Sequence, residues 1–274
     1  MDKKSFLKAG HTPTLLAAFL YFDLAFMVWV LLGPLGVQIA NDLGLTHAQK
    51  GLMVATPVLA GALLRMVMGV LVDHLKPKMA GAIGQVIVIV ALFVAWQFGI
   101  HSYEQTLILG LFLGVAGASF AVGVPFVAQW YPPERQGFAI GVYGMGNIGT
   151  AVAAFSVPAI RDSAGQEAAG LVFGAVIAAY ALIWMSFARQ APVEKGPPTR
   201  YGEVLRSGWK LWRLALFYFV TFGGFVAMAL YLPKLLVDWF DLSLTDAGLR
   251  AAGFTLLATV SRPVGGILSD RIGG

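Results

Sequence analysis

The sequence predicts an all-α integral membrane protein with eight crossings. Three observations carry that prediction: the composition, the spacing of long apolar runs, and the placement of the cations. Of the 274 residues, 58% are hydrophobic and 12% charged, and the mean hydropathy is +0.76. Soluble domains carry about 25% charged residues, so a soluble globule lacks the polar surface it needs here. A disordered chain would hold far fewer apolar residues. The 33 glycines agree with the membrane class, because glycine is commoner in transmembrane helices than in soluble ones. With no cysteine, the chain excludes disulfides, thiolate metal sites and cysteine nucleophiles.

Apolar runs place the spans at 14–40, 50–73, 79–100, 105–131, 136–160, 167–188, 209–237 and 245–269. Each is near the roughly 20 residues that a bilayer crossing requires. Span 1 follows Lys3, Lys4 and Lys8 in the manner of a signal peptide. Its apolar run is too long for a signal h-region and further spans follow, so it is read as a retained helix. After span 6, residues 191–208 carry Pro192, Pro197, Pro198 and mixed charges, the composition of a cytoplasmic linker. The organisation is therefore a six-helix bundle over 1–190, a linker over 191–208, and a second bundle that begins over 209–274.

With Met1 inside, thirteen of the 19 Lys and Arg residues fall on the cytoplasmic side: Lys3, Lys4, Lys8, Lys76, Lys78, Arg135, Arg189, Lys195, Arg200, Arg206, Lys210, Arg213 and Arg271. Only Lys50, Arg161, Lys234 and Arg250 fall on the other side. That asymmetry is the positive-inside pattern. The net charge of +5 is thus topological, and nucleic acid is not an expected partner.

The remaining two cations, Arg65 and Arg262, lie inside spans 2 and 8 and belong to an internal repeat. At an offset of 197 residues Arg65 falls on Arg262, Gly69 on Gly266, Leu71 on Leu268 and Asp73 on Asp270. In both copies the arginine precedes by eight residues the aspartate at the cytoplasmic helix end. A buried arginine costs about 2.5–3.5 kcal/mol on the insertion scale, so neither should face lipid. One reading makes the pair a clamp for a small anion, since guanidinium is permanently charged and forked. The other makes each a structural partner for a carboxylate or for backbone carbonyls.

Span 5 carries Gly144-Met145-Gly146-Asn147-Ile148-Gly149. The string matches the dinucleotide fingerprint G-x-G-x-x-G but lies in an apolar span without the required strand, so that reading is rejected. Small residues here allow close approach of a helix or a substrate, and the Asn147 amide can donate to an oxyanion. In span 1, Asp23 is the acid well inside a span, either a carrier of a coupling proton or a cap for a neighbouring polar group. His11, His47, His74 and His101 fall in loops or at helix ends and make poor relays. Neither a P-loop nor a nucleophile–base pair stands out. An enzyme, a metal and a cofactor are therefore not expected.

The segments Gly69-Val70-Leu71-Val72-Asp73-His74 and Gly266-Ile267-Leu268-Ser269-Asp270-Arg271-Ile272-Gly273 resemble the loop motif G-x-L-x-D-R-x-G of the major facilitator superfamily. The first copy departs from it at His74 and Lys76, which weakens a gating role there. That resemblance implies two six-helix bundles with a substrate site between them, and a gating role for Gly69, Asp73, Gly266, Asp270 and Arg271. Because the chain stops at Gly274, within the second copy, it is expected to be an eight-helix fragment of a twelve-helix protein.

Gly141-Val142-Tyr143-Gly144-Met145-Gly146-Asn147-Ile148-Gly149-Thr150-Ala151 resembles the first nitrate signature of the nitrate/nitrite porter family. Gly117-Ala118-Ser119-Phe120-Ala121, Tyr218-Phe219-Val220-Thr221-Phe222-Gly223 and Trp29-Val30-Leu31-Leu32-Gly33-Pro34-Leu35 are similar to the same family. The resemblance implies that Arg65 and Arg262 bind nitrate or nitrite, and that Asn147 and Tyr218 hydrogen-bond it. Phe120 and Phe222 would sandwich the anion, beside Gly144 and Gly146. Read from the residues alone, ordinary packing is the favoured role of both phenylalanines. The implied activity is secondary transport by alternating access across the inner membrane by a monomer with its N-terminus inside. Exchange is favoured, because two facing cations resist closing on an empty site. Proton-coupled uptake through Asp23, transport of another small anion, and anion sensing without flux are the alternatives.

Overall fold

The computed structural model describes residues 6, 8–192, 201–206 and 208–273; every regular element among them is helical. Eight helical stretches are long and apolar enough to cross a membrane: Thr12–Gly36, His47–Leu75, Pro77–Phe98, Tyr103–Ala128, Pro133–Val157, Gly170–Phe187, Trp209–Phe240 and Asp246–Ile272. They coincide with the spans read from the sequence. Of that reading, Met1, Lys3, Lys4 and residues 193–200 and 207 of the linker lie outside the described residues.

Four of the eight are not the uninterrupted helices that the apolar runs suggest. Span 1 divides into α1 (Thr12–Trp29) and α2 (Leu32–Asp42). The break precedes Pro34, which has no N–H to continue the ladder. Span 2 is α3 (His47–Leu75), opened by a capping box of Thr46 and Gln49, and span 3 is α4 (Pro77–Phe98). Span 4 divides at Ala118 into α5 (Tyr103–Gly117) and α6 (Ser119–Ala128). Span 5 is α7 (Pro133–Gly144), a 3₁₀ turn over Met145–Ile148, and α8 (Gly149–Ala164). Span 6 is α9 (Gln166–Phe187). After the short α10 (Tyr201–Leu205), span 7 comprises α11 (Trp209–Tyr218), a π turn over Phe219–Gly223, and α12 (Gly224–Phe240). Span 8 is α13 (Leu244–Ile272). Hydropathy cannot see such interruptions, because the residues at each break are as apolar as their neighbours.

The chain forms two compact units. The first comprises residues 1–192 together with 262–274, and the second residues 193–261. Span 8 therefore contributes its C-terminal end to the first unit and the rest to the second. Within the first unit, span 1 is central and packs against spans 4, 5 and 6. Spans 1 and 4 are 67% and 61% buried against 22% for span 2, so helices 1 and 4 form the core and the rest its wall. The core is aromatic: Phe22, Phe26, Phe126, Tyr143 and Trp184 are all fully buried. In the second unit the Phe225 and Phe254 rings stack across spans 7 and 8 at 6.1 Å.

Candidate functional site

The site is organised by the glycines of span 5. Gly137, Gly141 and Gly144 recur at helical spacing and present a bare backbone ridge to the end of span 8. A Cβ on Gly141 would stand 2.7 Å from the Arg262 carbonyl oxygen and 2.8 Å from Pro263 Cα. One on Gly137 would stand 2.6 Å from the Gly266 carbonyl. The 3₁₀ turn then rotates the helix, and Gly146 and Gly149 face span 1 instead. A Cβ on Gly146 would lie 2.8 Å from the Asp23 backbone nitrogen, and one on Gly149 would collide with the Asp23 carbonyl. This close approach of helix backbones is how small residues drive association where no hydrophobic effect acts between helices.

Between these two contacts sits Asn147, fully buried in the 3₁₀ turn. With its amide oriented so that the oxygen faces span 8, it accepts from Arg262 Nη2 at 2.5 Å and from Nε at 3.3 Å. One edge of the guanidinium is thereby held. A Cβ on Gly144 would stand 3.0 Å from Nη1, so the glycine leaves room for that arm. The sequence reading cast Asn147 as a donor to the anion. In the structure its oxygen is given to the arginine, and its NH₂ group is the part suited to an oxyanion.

Arg65 is held differently. Its Nη2 donates to the Gly117 carbonyl at 3.2 Å, at the break in span 4, and its guanidinium carbon lies 5.8 Å from the centre of the Phe120 ring. That geometry falls within cation–π range. Phe120 in turn contacts Phe22 at 5.5 Å and Tyr143 at 6.0 Å, and Tyr143 stacks on Phe22 at 4.7 Å. An aromatic cluster therefore reaches from beneath Arg65 to Tyr143, the residue before Gly144. The bonds described for both arginines end on neutral oxygens, which fix the direction of each guanidinium.

The rest of the predicted set divides between the units. In the second unit Tyr218 and Phe222 stack face to face, with centroids 5.1 Å apart and planes within 10°. The π turn brings this about, since its wider winding shifts the registry of side chains four apart. In the second copy of the loop motif, the Asp270 carboxylate accepts from the Gly137 and Phe138 amides at 2.7 and 2.9 Å. A carboxylate near a helix N-terminus is favoured by the helix dipole. Arg271 is exposed. In the first copy Asp73 occupies the last turn of span 2, and the His74 ring bonds to Val70 within its own helix. Asp23 lies against Gly149, with one carboxylate oxygen buried and without a partner among the described residues.

Sequence reasoning missed Gly117 and Tyr143 as members of the site. Both lie within the quoted motifs, but a carbonyl acceptor has no side-chain signal, and a buried tyrosine reads as core. Among the described residues no group of three or more His, Asp or Glu could hold a metal ion.

A glycine-ridged, interrupted span 5 locked to a repeated G-x-L-x-D motif defines a major facilitator, and the Major Facilitator Superfamily model matches residues 15–274. The fold is shared with two solved structures. A bacterial homologue of the human lysosomal transporter Spinster, in an inward-facing and occupied conformation, gives a TM-score of 0.66 at 20% identity, covering 94% of this chain and 61% of that one. The human organic anion transporter MFSD10 (TETRAN) gives 0.69 at 18%, covering 95% and 72%. Among curated proteins, "Probable nitrate/nitrite transporter NarK2" of Mycobacterium tuberculosis is 39% identical over 269 residues, 96% of this chain and 68% of that protein. "Nitrite extrusion protein" of Bacillus subtilis is 38% identical, covering 90% and 62%. "Probable nitrate/nitrite antiporter NarK1" of Thermus thermophilus is 35% identical, covering 93% and 60%. The chain belongs to the nitrate/nitrite porter family of the major facilitator superfamily, a family of multi-pass membrane transporters rather than enzymes. It spans about two thirds of the length of these relatives.

Proposed function

We propose that this sequence forms the anion-handling part of a secondary transporter that exchanges nitrate and nitrite across the cytoplasmic membrane. The N-terminus is cytoplasmic, and the protein acts as a monomer. The observation that carries the reading is the Arg262–Asn147 pair inside the nitrate signature, with Arg65 held by a backbone carbonyl over Phe120. The bonds to Asn147 and to the Gly117 carbonyl direct the two guanidiniums, whose planar fork suits a trigonal oxyanion. The names of the relatives support nitrate and nitrite as the anions. Exchange follows from charge: two cations in a low-dielectric site are stable together only while an anion lies between them, so the return step requires one.

Proton-coupled uptake is the second reading, favoured by the buried, unpartnered oxygen of Asp23 against the signature segment. Proteoliposomes containing the full-length protein decide between the two. Exchange predicts nitrate uptake that depends on internal nitrite or nitrate and ignores a pH gradient. Uptake into anion-free vesicles driven by a pH gradient would overturn exchange in favour of symport.

A further inference from the structure

Away from the arginines, spans 1, 3, 4 and 6 line a partly open cavity of about 20 Å³, with Tyr21, Gln85, Val115, Ile177 and Tyr180 among its walls. Gln85 is only 5% exposed, and neither its amide oxygen nor its amide nitrogen has a partner among the described residues. Tyr21 and Tyr180 are each 4% exposed. The Tyr180 hydroxyl gives its proton to the Ala17 carbonyl, which leaves its oxygen able to accept. The Tyr21 hydroxyl stands beside Gly84, the neighbour of Gln85, 3.8 Å from where a Cβ on that glycine would be.

From this geometry we infer that the cavity is a binding site for one ordered water, held by the Gln85 amide and the Tyr21 and Tyr180 hydroxyls. The volume matches one water, which needs about 10–15 Å³ and two to four polar partners. The named groups supply them: an amide oxygen to accept, an NH₂ to donate, and phenolic oxygens to complete the shell. A charged ligand is disfavoured, because the lining contains no ionised side chain. An apolar occupant would leave the amide unsatisfied inside a membrane bundle, where water cannot otherwise reach it. The water joins the peripheral span 3 to the central span 1 and to span 6, so it belongs to the packing of the first unit and not to its anion chemistry.

Hydroxyl-radical footprinting of the full-length protein in nanodiscs, by X-ray pulses in ¹⁸O water, tests this. Radicals formed from a bound water label the rings that hold it. Tyr21 and Tyr180 should be hydroxylated despite their burial. Trp184, fully buried and tilted against Tyr21 with ring centroids 4.8 Å apart, should remain unlabelled although indole is the more reactive ring. Gln85→Leu should abolish the tyrosine labelling and leave nitrate flux unchanged, and the isosteric Gln85→Met repeats the test if the leucine variant does not insert. The inference is overturned if wild-type Tyr21 and Tyr180 are as inert as Trp184, or if they are labelled equally with and without the glutamine.

Discussion

Asn147→Asp alters the site by one charge and almost no volume. The amide oxygen already lies 2.5 Å from Arg262 Nη2, so the new carboxylate takes its place without rearrangement and forms an ion pair. With roughly 4 Å between charge centres and an effective dielectric constant of about 20, each unit-charge interaction there is worth about 4 kcal/mol. A nitrate approaching Arg262 would then meet a repulsion of similar size to the attraction it gains. At about 1.4 kcal/mol per decade, this weakens nitrate by roughly three orders of magnitude. The same pairing should raise thermal stability, because the new carboxylate adds an ion pair at a half-buried arginine. The assays are nitrate counterflow in proteoliposomes and a melting curve in detergent. Asn147→Ala serves as the comparison: it removes the bonds without adding charge, and a bond to a charged group contributes about 1.5–3 kcal/mol, or one to two decades of affinity. If Asn147→Asp transports nitrate with a KM within a few-fold of wild type, the anion does not depend on the net charge at Arg262 and the reasoning fails.

Three further outcomes are expected. Arg65→Lys keeps the charge but cannot bond the Gly117 carbonyl and an anion in one plane, so apparent nitrate affinity should fall about 10- to 100-fold in counterflow, from the loss of one charge-assisted bond. Gly141→Ala forces a Cβ against the Arg262 carbonyl and Pro263 Cα, both backbone atoms, so spans 5 and 8 must separate there. At an overpacking cost of about 1–3 kcal/mol the protein should melt earlier, lose exchange rate and, because Arg262 is displaced from Asn147, show a raised KM for nitrate. His11, against Trp130 and bonded to Thr14, is held below its ordinary pKa of 6.5 first by burial and then by the Arg189 guanidinium. The folded state therefore prefers the neutral ring, and stability should be full above about pH 6.5 and decline as pH falls below it. His11→Asn, which retains a cap acceptor for the Thr14 amide, should flatten the part of the melting-temperature profile between about pH 7 and pH 5 that His11 contributes.

The spans were legible because hydropathy over 20 residues is a strong signal, and the arginine pair because two charges at one offset in apolar helices rarely coincide by chance. The breaks were not legible. Gly117, Ala118 and Ser119 satisfy every rule for a continuing transmembrane helix, yet the chain turns there and frees a carbonyl for Arg65. Likewise Tyr218 and Phe222 are four apart and share a helix face in any reading. The face-to-face stacking depends on a π turn that composition does not announce. Asn147 was found by type but not by direction. Nothing in the sequence says that its oxygen points to an arginine 115 positions later, since that depends on the backbone approach allowed by Gly141 and Gly144.

That dependence explains why one short segment carries both the glycines and the amide. The Gly137–Gly144 ridge lies against span 8, and Gly146 and Gly149 lie against span 1, so the 3₁₀ turn between them is gripped from both sides. Asn147 occupies the middle of that turn and has little freedom of its own. Any displacement of span 8 against span 5 must carry Arg262 past Asn147, and any displacement of span 5 against span 1 must carry Asn147 with it. On the proposed reading, packing and anion recognition are thus not two properties that happen to share a motif. A larger residue at any of these glycines would move the amide that aims the arginine, and a residue at 147 without a side-chain acceptor would remove both of the bonds that Asn147 makes to it.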